Sequence, residues 1–391
     1  MLNRHAPAVL VVTLLVSVLS ARLSPELGVA VTGVAWLICA LCILRIEHAF
    51  EPLRMTLAGL TASAVALLWW VDAYGVIDPA SAWTWVLGWG PALCAGFVLA
   101  RTPAHRLFVM RSLAWMGAIL GASHLAFWLV HFERAAVLFT NPNVSAAVFV
   151  GLLPCAVSLV STKQQLVAAT LCLGGLAATG SRGGMLAALV MAGVYLILHR
   201  GDRRAWFGAL AVALLCIPIL GHRLDKLSDD PHAYGRSLWW RSAWQVNKTY
   251  PAGVGTRQFG WYGLRQRAEV QAPVYRYLRG EAGESAHSEW LQLLVDHSLL
   301  GLGLLLLCIG LTLAQPRLRP EPIALAGLLA HAAVDGTWQS MMVRLLLLVH
   351  AMALWRSGFS LPWRVPASLF WATVSVWILA SVPLGYAQAL E

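Results

Sequence analysis

Apolar runs long enough to cross a bilayer recur along the chain from Ala6 to Leu384. A membrane-spanning helix needs about 20 such residues. This recurrence leaves little choice of fold. Of the 391 residues, 59% are hydrophobic and 12% charged, against about 25% charged in a soluble domain. The expected class is therefore all-α: a polytopic membrane protein forming a single integral membrane domain over 1–391. The first run follows Arg4 and resembles a signal peptide, but Ala21-Arg22-Leu23-Ser24 is a poor cleavage site and further spans follow at once. It reads as a retained first helix.

Candidate spans are 6–23, 27–45, 55–73, 82–100, 112–131, 143–160, 165–180, 184–198 and 205–220, then 288–313, 321–335, 341–355 and 366–384. The runs 184–198, 321–335 and 341–355 are short for a bilayer, so the expected number of transmembrane helices is 12–13. All seven cysteines lie inside apolar runs, which argues against a disulfide framework in the polar stretch. Cys39 and Cys42 have CxxC spacing but fall within a span, as small packing residues do.

Orientation follows from the basic residues of the loops. With the N-terminus inside, one side holds Arg4, Arg45, Arg54, Arg101, Arg106, Arg111, Lys163, Arg200, Arg203, Arg204, Arg317, Arg319, Arg356 and Arg364. The short loops of the other side hold Arg22, Arg134, Arg182 and Arg344. The polar segment 221–287 then lies on the outer face. It carries ten basic and six acidic residues on the side where positive charge is normally depleted. Long loops escape the rule, so attraction to anionic headgroups explains part of this. An anionic substrate at the outer boundary explains it too. Nucleic acid is a poor partner on that side.

Four polar clusters fall on the outer face. Asn141-Pro142-Asn143 opens the span 143–160, where an Asn is a good helix cap. Ser181-Arg182-Gly183-Gly184 joins two apolar runs; its glycines would allow a tight turn beside a ligand, and Arg182 is a fixed planar cation suited to phosphate oxygens. A headgroup-snorkelling arginine is the plainer reading. The third cluster holds Arg236, Trp239, Trp240, Arg241 and Trp244, then Gly253, Gly255, Arg257 and Phe259. Arg236 and the three tryptophans recur at about helical spacing, consistent with one face of an interfacial helix. The fourth, Ser285-Ala286-His287-Ser288-Glu289, leads into the next span and puts a titratable ring at its top. His331 and Asp335, four apart in an apolar run, should share a face, as a buried pair or a proton acceptor.

Taken in order, Asn141-Pro142-Asn143, Ser181-Arg182-Gly183-Gly184, Arg236-x-x-x-Trp240 with Gly253-Val254-Gly255, and Ala286-His287-Ser288-x-x-Leu291-Gln292 before Gly301 and Gly303 resemble the bacterial O-antigen ligase superfamily over roughly 139–313. The resemblance implies a glycosyltransferase C-type helical fold with one large periplasmic loop, 221–287. It implies transfer of a glycan from an undecaprenyl-diphosphate carrier at the periplasmic face of the bacterial inner membrane, without metal or other cofactor. The family commonly has His-Asn where this chain has His287-Ser288. Its ligases usually have twelve spans with both ends cytoplasmic, whereas a thirteenth would put Glu391 outside.

On this reading Arg182 and Arg236 clamp the diphosphate, with Arg257 a third cation, and His287 is the base or acceptor-orienting group. Asp335 with His331 is a reserve proton acceptor. Asn143, Trp240, Arg241 and Arg265 complete the candidate substrate-binding set. The expected function is O-antigen ligase, with lipid A core as acceptor and inversion at the anomeric carbon. A polymerase would use the same donor and deliver to another carrier-linked repeat; a protein O-oligosaccharyltransferase would deliver to a protein hydroxyl. A transporter of lipid-linked glycan is the rival from another class. It would place ionisable groups near the bilayer midplane, where His124 is the clearest candidate.

Overall fold

The computed structural model describes residues 103–137, 139, 141–199, 201, 203–225, 231–251, 253–254, 258–260, 262–263, 285–313 and 320–356. The spans expected at 6–23, 27–45, 55–73, 82–100 and 366–384 lie outside them, as do Arg257 and Arg265. The described elements are helical. In chain order they are α1 (Pro103–His131), α2 (Pro142–Leu152) continued by a 3-10 turn (Leu153–Ser158), α3 (Thr162–Ala178), α4 (Arg182–Leu198) and α5 (Arg203–Asp225). Then come α6 (Pro231–Thr249), α7 (Glu289–Leu313), α8 (Pro320–Val334), a short 3-10 turn (Thr337–Gln339) and α9 (Met341–Arg356). Within α1, Arg106–His131 is long and apolar enough to cross a membrane. Each described run expected to be a span is helical, though α1 begins nine residues before the expected 112.

The chain divides into two compact units. The first takes in Trp89–Lys226 and Thr312–Gly358, and the second includes Leu227–Leu311. In the first, α1 packs on α3, and α4 packs on both α5 and α8. Large apolar side chains nonetheless cover outward faces: Trp115, Ile119 and Trp128 on α1, Trp206, Phe207 and Leu214 on α5. Soluble proteins rarely expose apolar patches of that extent, whereas lipid is a good solvent for them. This is a membrane protein.

Polar groups are turned inward instead. Glu321 at the start of α8 is fully buried and accepts from Arg106 Nε at 2.7 Å, so one arginine counted above for orientation ties α1 to α8. His124 is also buried; its Nδ1 lies 2.9 Å from the Leu120 carbonyl, and its ring meets Phe149 edge to face at 4.9 Å. The mid-span histidine thus forms part of the α1–α2 packing. The expected helix 143–160 tightens into a 3-10 turn at Leu153–Ser158, where Pro154 has no N–H to continue the α-helical ladder to Val150, nor one to give the Gly151 carbonyl. His350 Nε2 reaches that carbonyl at 2.8 Å.

Candidate active site

In the first unit, the turn before α4 is built by backbone hydrogen bonding. Gly180 takes a left-handed conformation, φ 57°, which glycine adopts without steric cost. Ser181 then caps α4: its hydroxyl accepts from the Gly184 N–H at 3.2 Å. Arg182 is therefore the first residue of α4. Its backbone lies at the positive end of the helix dipole, which favours an anion, as does a guanidinium.

Gly183 and Gly184 do not form the tight turn expected of them. They sit in the first helical turn and are there for close packing. A Cβ on Gly183 would lie 3.1 Å from Val334 and 3.4 Å from the His331 ring. One on Gly184 would lie 2.7 Å from the Ala146 Cβ. Small residues at these positions let α4 approach α8 and α2.

Asn141, not Asn143, caps α2. The Asn141 side chain accepts from the Asn143 N–H at 2.8 Å, and Pro142 is the first residue of the helix. Asn143 Oδ1 accepts from Arg134 Nη2 at 3.3 Å, while Arg134 Nε donates to the Thr179 carbonyl at 3.0 Å. Arg134 therefore bridges the α1–α2 connection to the turn that presents Arg182. Asp335 falls just beyond α8. Its N–H still donates to the His331 carbonyl, and its carboxylate accepts from the Gly336 N–H at 3.0 Å. His331 is buried, with Nδ1 3.5 Å from Thr337 Oγ1. Arg344, counted in the sequence only as an outer-loop charge, is buried and donates to the Trp338 carbonyl.

In the second unit, α6 is amphipathic. At about 100° per residue, Arg236, Trp239, Trp240, Ala243 and Val246 share one side, while Ser237, Arg241, Trp244 and Lys248 share another. Trp239 is 5% exposed and Trp244 50%, so the tryptophans do not lie on one face as the spacing suggested. Arg236 and Trp240 are half-buried beside Trp239; Arg241 is exposed with Trp244 and Lys248. Ala243 and Val246 pack with Val254, Phe259, Ala286 and Val295 in the core of this unit. Gly253, at φ 94°, carries the chain over α7. A Cβ there would come within 2.6 Å of the Asp296 carbonyl oxygen, and the next N–H, of Val254, donates to the Val295 carbonyl at 2.9 Å.

His287 lies just before α7 with φ 49°, a left-handed conformation unusual for a residue with a Cβ. Its N–H donates to Ser285 Oγ at 3.4 Å. The preceding N–H, of Ala286, donates to Gln292 Oε1 at 2.9 Å, and Gln292 Nε2 donates to Asp296 Oδ1 at 2.9 Å. Gln292 and Asp296 are buried. The His287 ring is half-buried and stacks on Trp239, with centroids 3.9 Å apart and planes at 16°. Ser288 caps α7, its hydroxyl accepting from the Leu291 N–H at 3.4 Å. Asn and Ser are equally good caps, which accounts for the one departure from the His-Asn pattern.

The first unit thus holds Arg182, Asn143, His331 and Asp335, and the second holds Arg236, Trp240, Arg241 and His287. The sequence reading missed Arg134, Trp239, Gln292, Asp296 and Arg344. Only the helical phase of α6 and the Gln292–Asp296 spacing of four hinted at any of them.

The family model for O-antigen ligase matches residues 167–306. That stretch includes Arg182, Arg236 and His287, and it stops short of His331 and Asp335. No curated protein matches the chain at a significant level. Over that stretch, about a third of its length, the chain is similar to the O-antigen ligase/polymerase superfamily.

Proposed function

We propose that this chain is an O-antigen ligase of the bacterial inner membrane. It moves a glycan from an undecaprenyl-diphosphate carrier to the lipid A core at the periplasmic face. The observation that carries this reading is His287, held in a left-handed loop by buried side chains just before α7, within the stretch that matches the family. Non-glycine residues in such conformations cluster at active sites. In this reading 1–391 is one multi-pass membrane domain with a glycosyltransferase C-type fold, and 221–287 is its periplasmic loop.

The chemistry asks for two things. The leaving diphosphate must have its growing charge neutralised, and fixed guanidinium groups do this without a metal. Arg182 and Arg236 take that role, with Arg257 as a third cation; Trp240, Asn143, Arg241 and Arg265 are the candidates for holding the glycan. The acceptor hydroxyl must also lose its proton as it attacks. His287 takes that proton while the acceptor oxygen bonds to the anomeric carbon. The bond from that carbon to the phosphate oxygen breaks, and its electron pair leaves with the diphosphate. Attack opposite the leaving group inverts the anomeric centre. Asp335 with His331 is the reserve acceptor for the proton.

The deciding experiment is glycan profiling of a strain lacking the gene. Rough lipopolysaccharide with accumulated long carrier-linked polymer is the expected result. Lipopolysaccharide bearing single repeats would instead make the chain a polymerase.

A further inference from the structure

Trp239 takes no part in the scheme above, yet its ring lies almost flat on that of His287. We infer that Trp239 is a positioning residue for His287: its indole face fixes the imidazole plane and stabilises the imidazolium that forms as the acceptor proton arrives. The inference rests on the reading of His287 as the base.

Three observations support it. The contact is close and nearly parallel, at 3.9 Å and 16°. Trp239 is buried on the side of α6 that faces its own core, so its ring is a fixed platform. The backbone of His287 is held independently, through Ser285 below it and through Ala286, Gln292 and Asp296. That chain of hydrogen bonds sets where the His287 Cα sits, and the Trp239 face constrains the plane of its ring.

The energetic consequence is selective. Indole is the best of the aromatic faces for a cation. A neutral imidazole gains little from it beyond burial. The imidazolium gains a further attraction that exists only once the proton has moved. An interaction stronger in the transition state than in the ground state raises kcat and leaves substrate binding alone. The charged groups on the two helices are Arg236, one turn before Trp239, Arg241 and Lys248 on α6, and Glu289 and Asp296 on α7; His232 and His297 are the titratable rings on the same helices. Asp296 accepts from Gln292, so part of its charge is spent on holding the loop.

The test uses the full-length purified protein, a carrier-linked glycan and its acceptor. Trp239→Phe keeps a ring face and should hold kcat within about threefold. Trp239→Leu removes the face and should lower kcat roughly 5- to 30-fold, with KM for the donor unchanged. Trp239→Met provides a second ringless side chain should the leucine variant fail to fold. A rise in KM with kcat intact would assign Trp239 to the donor glycan and overturn the inference. So would a phenylalanine variant as slow as the ringless ones, or ringless variants as fast as the native protein. His287→Ala, assayed alongside, separates the two readings. If it transfers normally, the base assignment fails and takes this inference with it. If it is inactive while Trp239→Leu and Trp239→Met keep full kcat, only the role of Trp239 is lost.

Discussion

Arg182 and His287 are presented by opposite means. Arg182 opens a regular helix whose cap, Ser181, satisfies an early N–H and whose glycines seat it against α8 and α2. His287 stands before a helix in a backbone conformation that costs about 1–3 kcal/mol for a residue with a Cβ. A permanent cation needs only the right place and a favourable field, and a helix N-terminus supplies both. A proton acceptor must meet its partner within hydrogen-bond distance and at the right angle. In the proposed scheme, the loop, its side-chain supports and the aromatic platform beneath the ring meet that demand. The contrast predicts that binding and chemistry separate between Arg182 and His287.

The largest effect should come from His287→Ala. Loss of a general base costs about 100- to 10,000-fold in rate, while binding of a carrier-linked glycan should stay nearly intact. Arg182→Ala should weaken binding and transfer together. The measurement is donor binding beside single-turnover transfer, for each purified and folded variant. If His287→Ala loses binding as badly as Arg182→Ala but transfers normally at saturating donor, His287 belongs to the donor site and the contrast collapses.

A somewhat smaller effect is expected within α6. Arg236 shares its side with Trp239, whereas Arg241 is exposed with Trp244 and Lys248. Arg236→Lys keeps the charge but loses the planar fork, so transfer should fall by roughly 30- to 1000-fold, about 2–4 kcal/mol in the transition state. Arg241→Gln should cost less than about threefold, as exposed charges away from a site do. Equal losses at both positions would mean that the two sides of α6 serve the substrate alike.

Most of the described helices were legible in the sequence because a long apolar run has one outcome in lipid. Arg182 and His287 stand out in the sequence as candidates because they interrupt such runs. Their surroundings were harder to read. The Gly183-Gly184 pair suggests a tight turn, since glycine serves turns and close helix packing equally; only the nearness of Val334 and Ala146 decides between them. Asn141 and Asn143 are both good caps, and the proline between them favours the first, because Pro142 suits the first helical position. The three tryptophans of α6 looked like one stripe because spacings of four and five straddle the helical repeat. Trp240 and Trp244 are four apart yet fall toward different environments. The bridge made by Arg134 was silent, because its partners Asn143 and Thr179 lie across turns whose geometry no local pattern encodes.

The smallest predicted effect tests the cap that holds the His287 loop to α7. Ser288 is buried and its hydroxyl accepts from the Leu291 N–H, a service that an Asn side chain performs equally well. Ser288→Asn should therefore change thermal stability by no more than a few tenths of a kcal/mol and leave transfer near the native rate. Ser288→Ala removes the acceptor and should cost about 1 kcal/mol. Because His287 is the preceding residue, that loss should also show as a modest fall in kcat, well short of the fall caused by His287→Ala. Thermal unfolding in detergent and single-turnover transfer on both variants provide the comparison. A Ser288→Ala protein that is fully stable but inactive would show that the hydroxyl touches the reacting groups. The position would then belong with His287 in the chemistry, and Ser and Asn would be interchangeable there as hydrogen-bonding partners of the substrate instead of as caps.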